Sequence, residues 1–249
     1  MKKVWLIKAG GEMVGSRLIR EKIIKDILRL RKKYAVVLLH GGGPQIEQEL
    51  TKANIPHEFK LGRRVTSPEA MIVVERVLSG EINKGLVGEL NFKGIPSVGL
   101  SCRDGNLVIA SPIPGLGRAA KPVKINTHLL KALISNGFSP VISSVGSDSK
   151  GNAVNINADD AASAIGQELK VDNLVFLTNV PGVLDQNKKR IPILRLNKID
   201  GYIKSGVVTG GMIPKIQSAR MAILKGIKQV TITNGNWGIQ IEKGTQIIK

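Results

Sequence analysis

The sequence predicts an α/β protein with a mainly parallel sheet covered by helices on both faces. Three observations carry this. Short apolar runs alternate with longer amphipathic stretches from end to end, glycine clusters follow several of the runs, and no repeat or Pro/Ser-rich linker divides the chain. Residues 4–7, 35–39, 97–100, 139–143, 174–177 and 229–233 read as strands, most of them apolar enough to be buried on both faces. Between them, 16–32, 44–54, 68–91, 126–136, 159–168 and 214–225 carry the three-to-four spacing of helices. In the third helix Val73, Val77, Leu78, Ile82, Leu86 and Leu90 form one stripe, and Thr66 with Glu69 has the spacing of a capping box at its start. Residues 110–124, with Pro112-Ile113-Pro114-Gly115, read as a hairpin or flap.

The composition excludes several classes. A chain of 249 residues, 42% hydrophobic, can bury a sizeable core, yet no apolar run is long enough to span a membrane. The N-terminus meets a charge, Lys8, after four apolar residues, which is too short for a signal-peptide core. The single cysteine, Cys102, excludes an internal disulfide and a cysteine-rich metal site. A soluble cytoplasmic protein is expected. Lys and Arg number 37 against 19 Asp and Glu, a formal charge of +18 that attracts anions at long range. Nucleic acid is not the expected partner, because the basic residues are scattered and aromatic residues make up only 3%. The densest basic cluster is Arg29-Leu30-Arg31-Lys32-Lys33.

Ligands of parallel α/β sheets lie beyond the carboxyl ends of the strands. There the chain carries Lys8-Ala9-Gly10-Gly11, His40-Gly41-Gly42-Gly43-Pro44 and, ahead of the last helix, Thr209-Gly210-Gly211-Met212. Glycine runs let successive backbone N–H groups approach an anion, and a following helix N-terminus adds its dipole. A tight turn needs only one glycine, so three such clusters point to phosphate or carboxylate cradles. Neither a Walker loop nor a dinucleotide fingerprint is present. Lys8 ends a hydrophobic strand, and Lys215 sits in the first turn of a helix, an unfavourable place for a cation unless an anion is near. Asn155, Asn157, Asp159 and Asp160 crowd the entry to another helix, more polar groups than one cap requires.

These segments, in order, resemble those of acetylglutamate kinases in the amino-acid kinase family. Gly62-Arg63-Arg64-Val65-Thr66, Gly99-Leu100-Ser101-Cys102-Arg103-Asp104-Gly105 and Leu177-Thr178-Asn179-Val180-Pro181-Gly182-Val183 extend the likeness over almost the whole chain. The resemblance implies a three-layer αβα sandwich in a single domain, 1–249. Its lobes would be 1–168 for substrate binding and dimer formation and 169–249 for the nucleotide. It further implies ATP-dependent phosphorylation of the side-chain carboxylate of N-acetyl-L-glutamate in arginine biosynthesis, with Mg²⁺ carried by the nucleotide phosphates. Lys8, Lys215 and Asp159 would be catalytic, with Asp159 the carboxylate that orients the two lysines, and Gly42, Gly43, Arg64 and Asn155 would bind the amino-acid substrate. Gly10, Gly11, Asn179, Val180, Gly182, Val183, Leu184, Val207, Val208, Thr209, Gly210 and Gly211 would bind ATP.

The acceptor carboxylate, with an ordinary pKa of about 4.3, is already ionised at neutral pH and needs no general base. Two of the histidines, His40 and His57, are therefore read as structural and His128 as a surface residue. The sequence departs from the family's usual pattern at Asn179, at Thr231–Asn236 and in the flap, Leu116-Gly117-Arg118-Ala119-Ala120-Lys121. The flap and the basic charge favour a relative acting on glutamate or aminoadipate attached to an acidic carrier protein. Gly43-Pro44-Gln45, Asn157-Ala158-Asp159 and Gly211-Met212-Ile213-Pro214-Lys215 favour a kinase for the free substrate. Retention of both lysines and Asp159 argues against a non-catalytic binding homologue. Arginine-inhibited members carry a further helix ahead of the first strand. With Val4 opening that strand, the resemblance implies an arginine-insensitive homodimer. Its two-fold contact is expected to use Met71, Val74, Val77 and Leu78.

Overall fold

The computed structural model describes residues 2–60, 62–208 and 212–249, with the backbone alone of Pro214. Its main sheet contains β1 (Val4–Ala9), β2 (Ala35–His40), β5 (Ser97–Ser101), β8 (Ser139–Ser143), β11 (Asn173–Thr178), β12 (Ile193–Arg195), β13 (Gln229–Asn234) and β14 (Thr245–Ile248). The order is β12-β14-β13-β11-β1-β2-β8-β5, and every neighbouring pair is parallel except β13 with β14. The six predicted strands are all present. Each predicted helix is found as well, as α2 (Arg17–Leu30), α3 (Gly43–Lys52), α4 and α5 (Pro68–Glu75 and Asn83–Phe92), α6 (His128–Ser135), α7 (Ala158–Leu169) and α9 (Met212–Leu224). Two short helices, α1 (Gly11–Gly15) and α8 (Ile199–Lys204), complete the set among the described residues.

Period-two alternation sorts the strand side chains into two cores. Leu6, Val37, Leu39, Ile142 and Phe176 pack with α7 and α9 through Ala161, Ile165, Ile216 and Ala219. Their neighbours Ile7, Val36, Leu38, Val141 and Val175 face the other way, onto Ile23, Ile24 and Ile27 of α2 and Leu86 and Leu90 of α5. Each such side chain contributes about 1.5–3 kcal/mol on full burial. The result is three layers, helices on both faces of one sheet, as the alternation of runs predicts.

A second, smaller unit flanks the sheet. Strands β6 (Val108–Pro112), β7 (Ala119–Ile125), β9 (Val145–Ser147) and β10 (Ala153–Ile156) close into a small barrel, and β6 and β7 are the predicted flap hairpin. The two-residue strands β3 (Phe59–Lys60) and β4 (Arg63–Arg64) form a separate ribbon.

Three expectations are corrected. The cap of α4 is Ser67, whose hydroxyl accepts from the Ala70 N–H. Thr66 is instead fully buried, and its hydroxyl donates to the Arg64 carbonyl. The helix predicted over 68–91 is interrupted by a π-helical turn, Arg76–Ile82. The widened turn precedes buried Asn83, whose amide reaches His40 and the carbonyls of Leu100 and Val141. Met71, Val74, Val77 and Leu78 are buried within the chain against Ile46, Leu50 and Val145, so no apolar surface remains on them for a two-fold contact. Among the described residues, no helix is long and apolar enough to cross a membrane.

Candidate active site

Neighbouring parallel strands β1 and β2 end side by side, Ala9 opposite His40, so the loops that follow them meet. A Cβ on Gly11 would lie 2.6 Å from the Pro44 ring and 2.7 Å from the Gly43 nitrogen, an approach only glycine allows. The Gln45 side chain fastens the two loops by donating to the Gly11 carbonyl at 3.0 Å. Beneath them His40 is fully buried. The Asn83 amide nitrogen can only donate, so Nε2 of His40 accepts from it at 3.1 Å and Nδ1 donates to the Gly41 carbonyl. Burial lowers the His40 pKa to about 4, against a smaller opposing effect of the Gly41 carbonyl. It is thus a neutral support for the glycine loop, in keeping with its structural reading. His57 is half-buried beside the Ile55 carbonyl, and His128 is exposed.

The loops border a cleft with about 190 Å³ of free space. Lys8, Gly10, Gly11, Gly42, Gly43, Arg64, Asn155 and Asp159 all line it. Asp159 stands at its centre of charge. Lys215 donates to Oδ2 at 3.1 Å, while Lys8 Nζ lies 2.8 Å from Oδ1 as an ion pair outside hydrogen-bond angles. Burial alone would raise the Asp159 pKa, but the two ammonium groups outweigh it and hold the carboxyl below its ordinary value. The helix cap falls to Asn157, whose Oδ1 accepts from the N–H groups of Asp159 and Asp160. That leaves the Asp159 side chain for the lysines. Its neighbour Asp160 pairs with Arg63 at 2.6 Å.

Arg64 is only 6% exposed. One guanidinium nitrogen donates to the Gly43 carbonyl at 3.1 Å, and the carboxylate of Glu47 is 3.8 Å away. The group lies 4.6 Å from the centre of the Phe59 ring. Its other terminal nitrogen, Nη1, is buried with no partner among the described residues. A buried guanidinium nitrogen lacking an acceptor is costly, and a ligand carboxylate in this cleft would supply one. Asn155 donates to the Thr66 hydroxyl at 3.1 Å, linking β10 to the segment after β4. Arg63, Phe59 and Ser144, which also line the cleft, were not singled out from the sequence. The doublets Arg63-Arg64 and Asp159-Asp160 were the available signal, since each splits between the cleft and a supporting ion pair.

Of the residues predicted for the nucleotide, Gly10 and Gly11 line this cleft, whereas Asn179, Val180, Gly182, Val183, Leu184, Val207 and Val208 do not. Asn179 is exposed after β11, and its carbonyl accepts from Asn234 at 3.4 Å, so two departures from the family pattern touch. The Val180 N–H donates to Thr178, and Leu184 bridges to Arg190. Gly182 has φ +145°, and a Cβ there would strike Thr245 at 2.5 Å. The side chains of Val183 and Val208 belong to the core, so only their backbones can meet a ligand. Val207 lines a separate cleft of about 270 Å³ with Asp185 and Tyr202. Thr209, Gly210 and Gly211 lie outside the described residues. Among the described residues, no group of three or more His, Cys, Asp or Glu side chains is arranged to hold a metal.

Fold and cleft together define an α/β protein whose charged cleft, lined by Lys8, Arg64 and Asp159, lies at the carboxyl ends of parallel strands. A sequence profile of the Amino acid kinase family matches residues 3–234, and the chain belongs to that family. It is similar to an acetylglutamate kinase of Endomicrobium trichonymphae, 38% identical over 249 residues and the full length of both chains. Another acetylglutamate kinase, from Aquifex aeolicus, is 42% identical over 94% of this chain and 85% of that one. Among solved structures, the smu.665 protein of Streptococcus mutans superposes with a TM-score of 0.86 at 29% identity, covering 100% of this chain and 99% of that one.

Proposed function

We propose that the protein transfers the γ-phosphoryl group of ATP to the side-chain carboxylate of N-acetyl-L-glutamate, forming an acyl phosphate in arginine biosynthesis. The observation that carries this is the Lys8–Asp159–Lys215 bridge beside the unpartnered Arg64 nitrogen. The reaction presses an anionic acceptor against an anionic phosphoryl group, and its main requirement is charge neutralisation. Lys8 and Lys215, held by Asp159, supply two positive charges to the transferring group. The N–H groups of Gly10, Gly11, Gly42 and Gly43 add fixed dipoles. Arg64 grips a substrate carboxylate, and Asn155 orients the substrate from the opposite wall. No side chain need remove a proton, because the acceptor is ionised before it binds.

ATP is assigned to Asn179, Val180, Gly182, Val183, Leu184 and residues 207–211, with Val183 and Val208 acting through their backbones. The chain's described residues offer no cage for Mg²⁺, which would arrive on the nucleotide phosphates. The protein would act in the cytoplasm as a homodimer, through a surface other than the buried face of α4 and the π-helical turn. The free-substrate relatives at 38% and 42% identity favour acetylglutamate over a carrier-linked substrate. A coupled ADP-release screen across acetylglutamate, glutamate, aspartate, carbamate and UMP tests the assignment. Turnover should require acetylglutamate, and a preference for any of the others would displace it.

A further inference from the structure

At the far end of the sheet, where β2 and β8 begin, lies a cleft of about 280 Å³ that the proposed reaction does not use. Lys2 and Arg31 contribute its charge, and Tyr34, Ile134 and Phe138 its apolar wall. Arg31 belongs to the densest basic cluster in the sequence. One guanidinium nitrogen donates to the Gly137 carbonyl, and Lys2 donates to the Arg31 carbonyl at 2.9 Å. Among the described residues no carboxylate lies within 4.0 Å of either cation. Burial lowers the Arg31 pKa from its ordinary value, and no acid opposes that effect. Ser139 opens β8 in the floor of the cleft. It is 3% exposed, and its hydroxyl is buried with no hydrogen-bond partner among the described residues.

Two cations without counter-ions and a buried hydroxyl without a partner surround the same space. Each gains from an anionic oxygen placed between them. The adjoining wall is apolar and aromatic. Phe138 is partly exposed, and Tyr34 is held face-on against Trp5 with ring centres 4.3 Å apart. A bare inorganic anion would leave that wall uncovered.

We propose that this cleft is a second ligand site, for a small organic carboxylate whose head meets Arg31, Lys2 and Ser139 and whose apolar body lies on Tyr34, Ile134 and Phe138. The site is separate from the catalytic cleft but shares its strands. Strand β2 runs from Ala35 in this cleft to His40 under the glycine loop, and β8 runs from Ser139 to Ser143, next to Ser144 in the catalytic wall. Six residues of strand separate the two ends by about 20 Å.

Trp5 provides a local reporter, because its ring partner Tyr34 lines the cleft. The experiment titrates isovalerate into the intact protein carrying Trp237→Phe, so that Trp5 is the sole indole, and follows its emission. Saturable binding with a Kd on the order of 1 mM is expected. Arg31→Gln should weaken it by about tenfold or more, and Arg31→Lys should fall between, since a point charge replaces only part of the fork. Ser139→Ala should weaken it by several-fold, and circular dichroism establishes that each variant is folded. Arg64→Gln, which alters the catalytic cleft, should leave this titration unchanged. Inorganic phosphate and 3-methylbutan-1-ol, probes of the head and body alone, should each bind more weakly than isovalerate. The proposal is overturned by no saturable response, by equal affinity for phosphate or the alcohol, or by sensitivity to Arg64→Gln instead of Arg31→Gln.

Discussion

Replacing Asp159 by Asn removes the charge between Lys8 and Lys215 while keeping the shape of the side chain. The lysine nitrogens lie 2.8 and 3.1 Å from its two oxygens. At an effective dielectric of about 20 these attractions are worth roughly 6 and 5 kcal/mol, before the cost of desolvating the three groups is subtracted. The side chains of Lys8, Lys215 and Asp159 are 11%, 30% and 19% exposed, so some solvent screening remains. A net loss of about 2–4 kcal/mol of folding stability is expected, the lower part of the range for a broken buried pair falling to solvent. The helix cap does not confound the result, because Asn157 provides it. Urea unfolding gives the stability, and a second series with saturating ATP gives the linkage. Bound phosphate would replace the missing anion, so ATP should stabilise the variant more than the parent. Turnover should fall by about 10²–10³-fold as the lysines lose their common anchor. A variant within about 0.5 kcal/mol of the parent in stability and within several-fold in kcat would refute the bridging role of Asp159.

Other substitutions test the remaining parts. Lys8→Ala or Lys215→Ala should each cut kcat by about 10²- to 10³-fold with the fold retained, and near-normal turnover would remove that lysine from the chemistry. Arg64→Lys should raise the KM for the amino-acid substrate far more than that for ATP, as steady-state kinetics with each substrate varied will show. His40 gives a pH dependence. Its folded pKa of about 4 lies below the unfolded 6.5, so its contribution is complete above 6.5 and is lost as the pH falls towards 4. The loss amounts to roughly 3 kcal/mol. Parallel urea titrations of the parent and His40→Gln should show this acid slope in the parent alone.

Much of the fold was legible because the core strands are apolar along their whole length and the helices carry one-sided stripes. Strands β9, β10, β12 and β14 were not read, being three or four residues long, too short for a period to register. The cap at Ser67 was displaced by one residue because Thr66 offers the same hydroxyl but spends it on Arg64 inside the fold. The π-helical turn has no sequence period of its own; it is tied to contacts of Asn83 with three other elements. The supposed dimer face of α4 failed for a related reason. Its stripe has a partner within the chain, and burial by one's own α3 looks the same in sequence as burial by a second copy. In the site, Lys8, Lys215 and Asp159 could be singled out because charge at a strand end or a helix start demands an explanation. That Asp159 orients both lysines was implied by the family resemblance and by no local pattern, and the assembled sheet brings the three together from segments more than fifty residues apart.

Capture of the product tests the central claim most directly. Neutral hydroxylamine converts an acyl phosphate, but not a phosphate monoester, into a hydroxamate. Incubated with ATP, Mg²⁺, hydroxylamine and N-acetyl-L-glutamate, the protein should yield hydroxamate mole for mole with ADP, and Lys8→Ala and Lys215→Ala should lose both products together. ADP released without hydroxamate, or at a rate indifferent to N-acetyl-L-glutamate, would contradict phosphoryl transfer to its carboxylate.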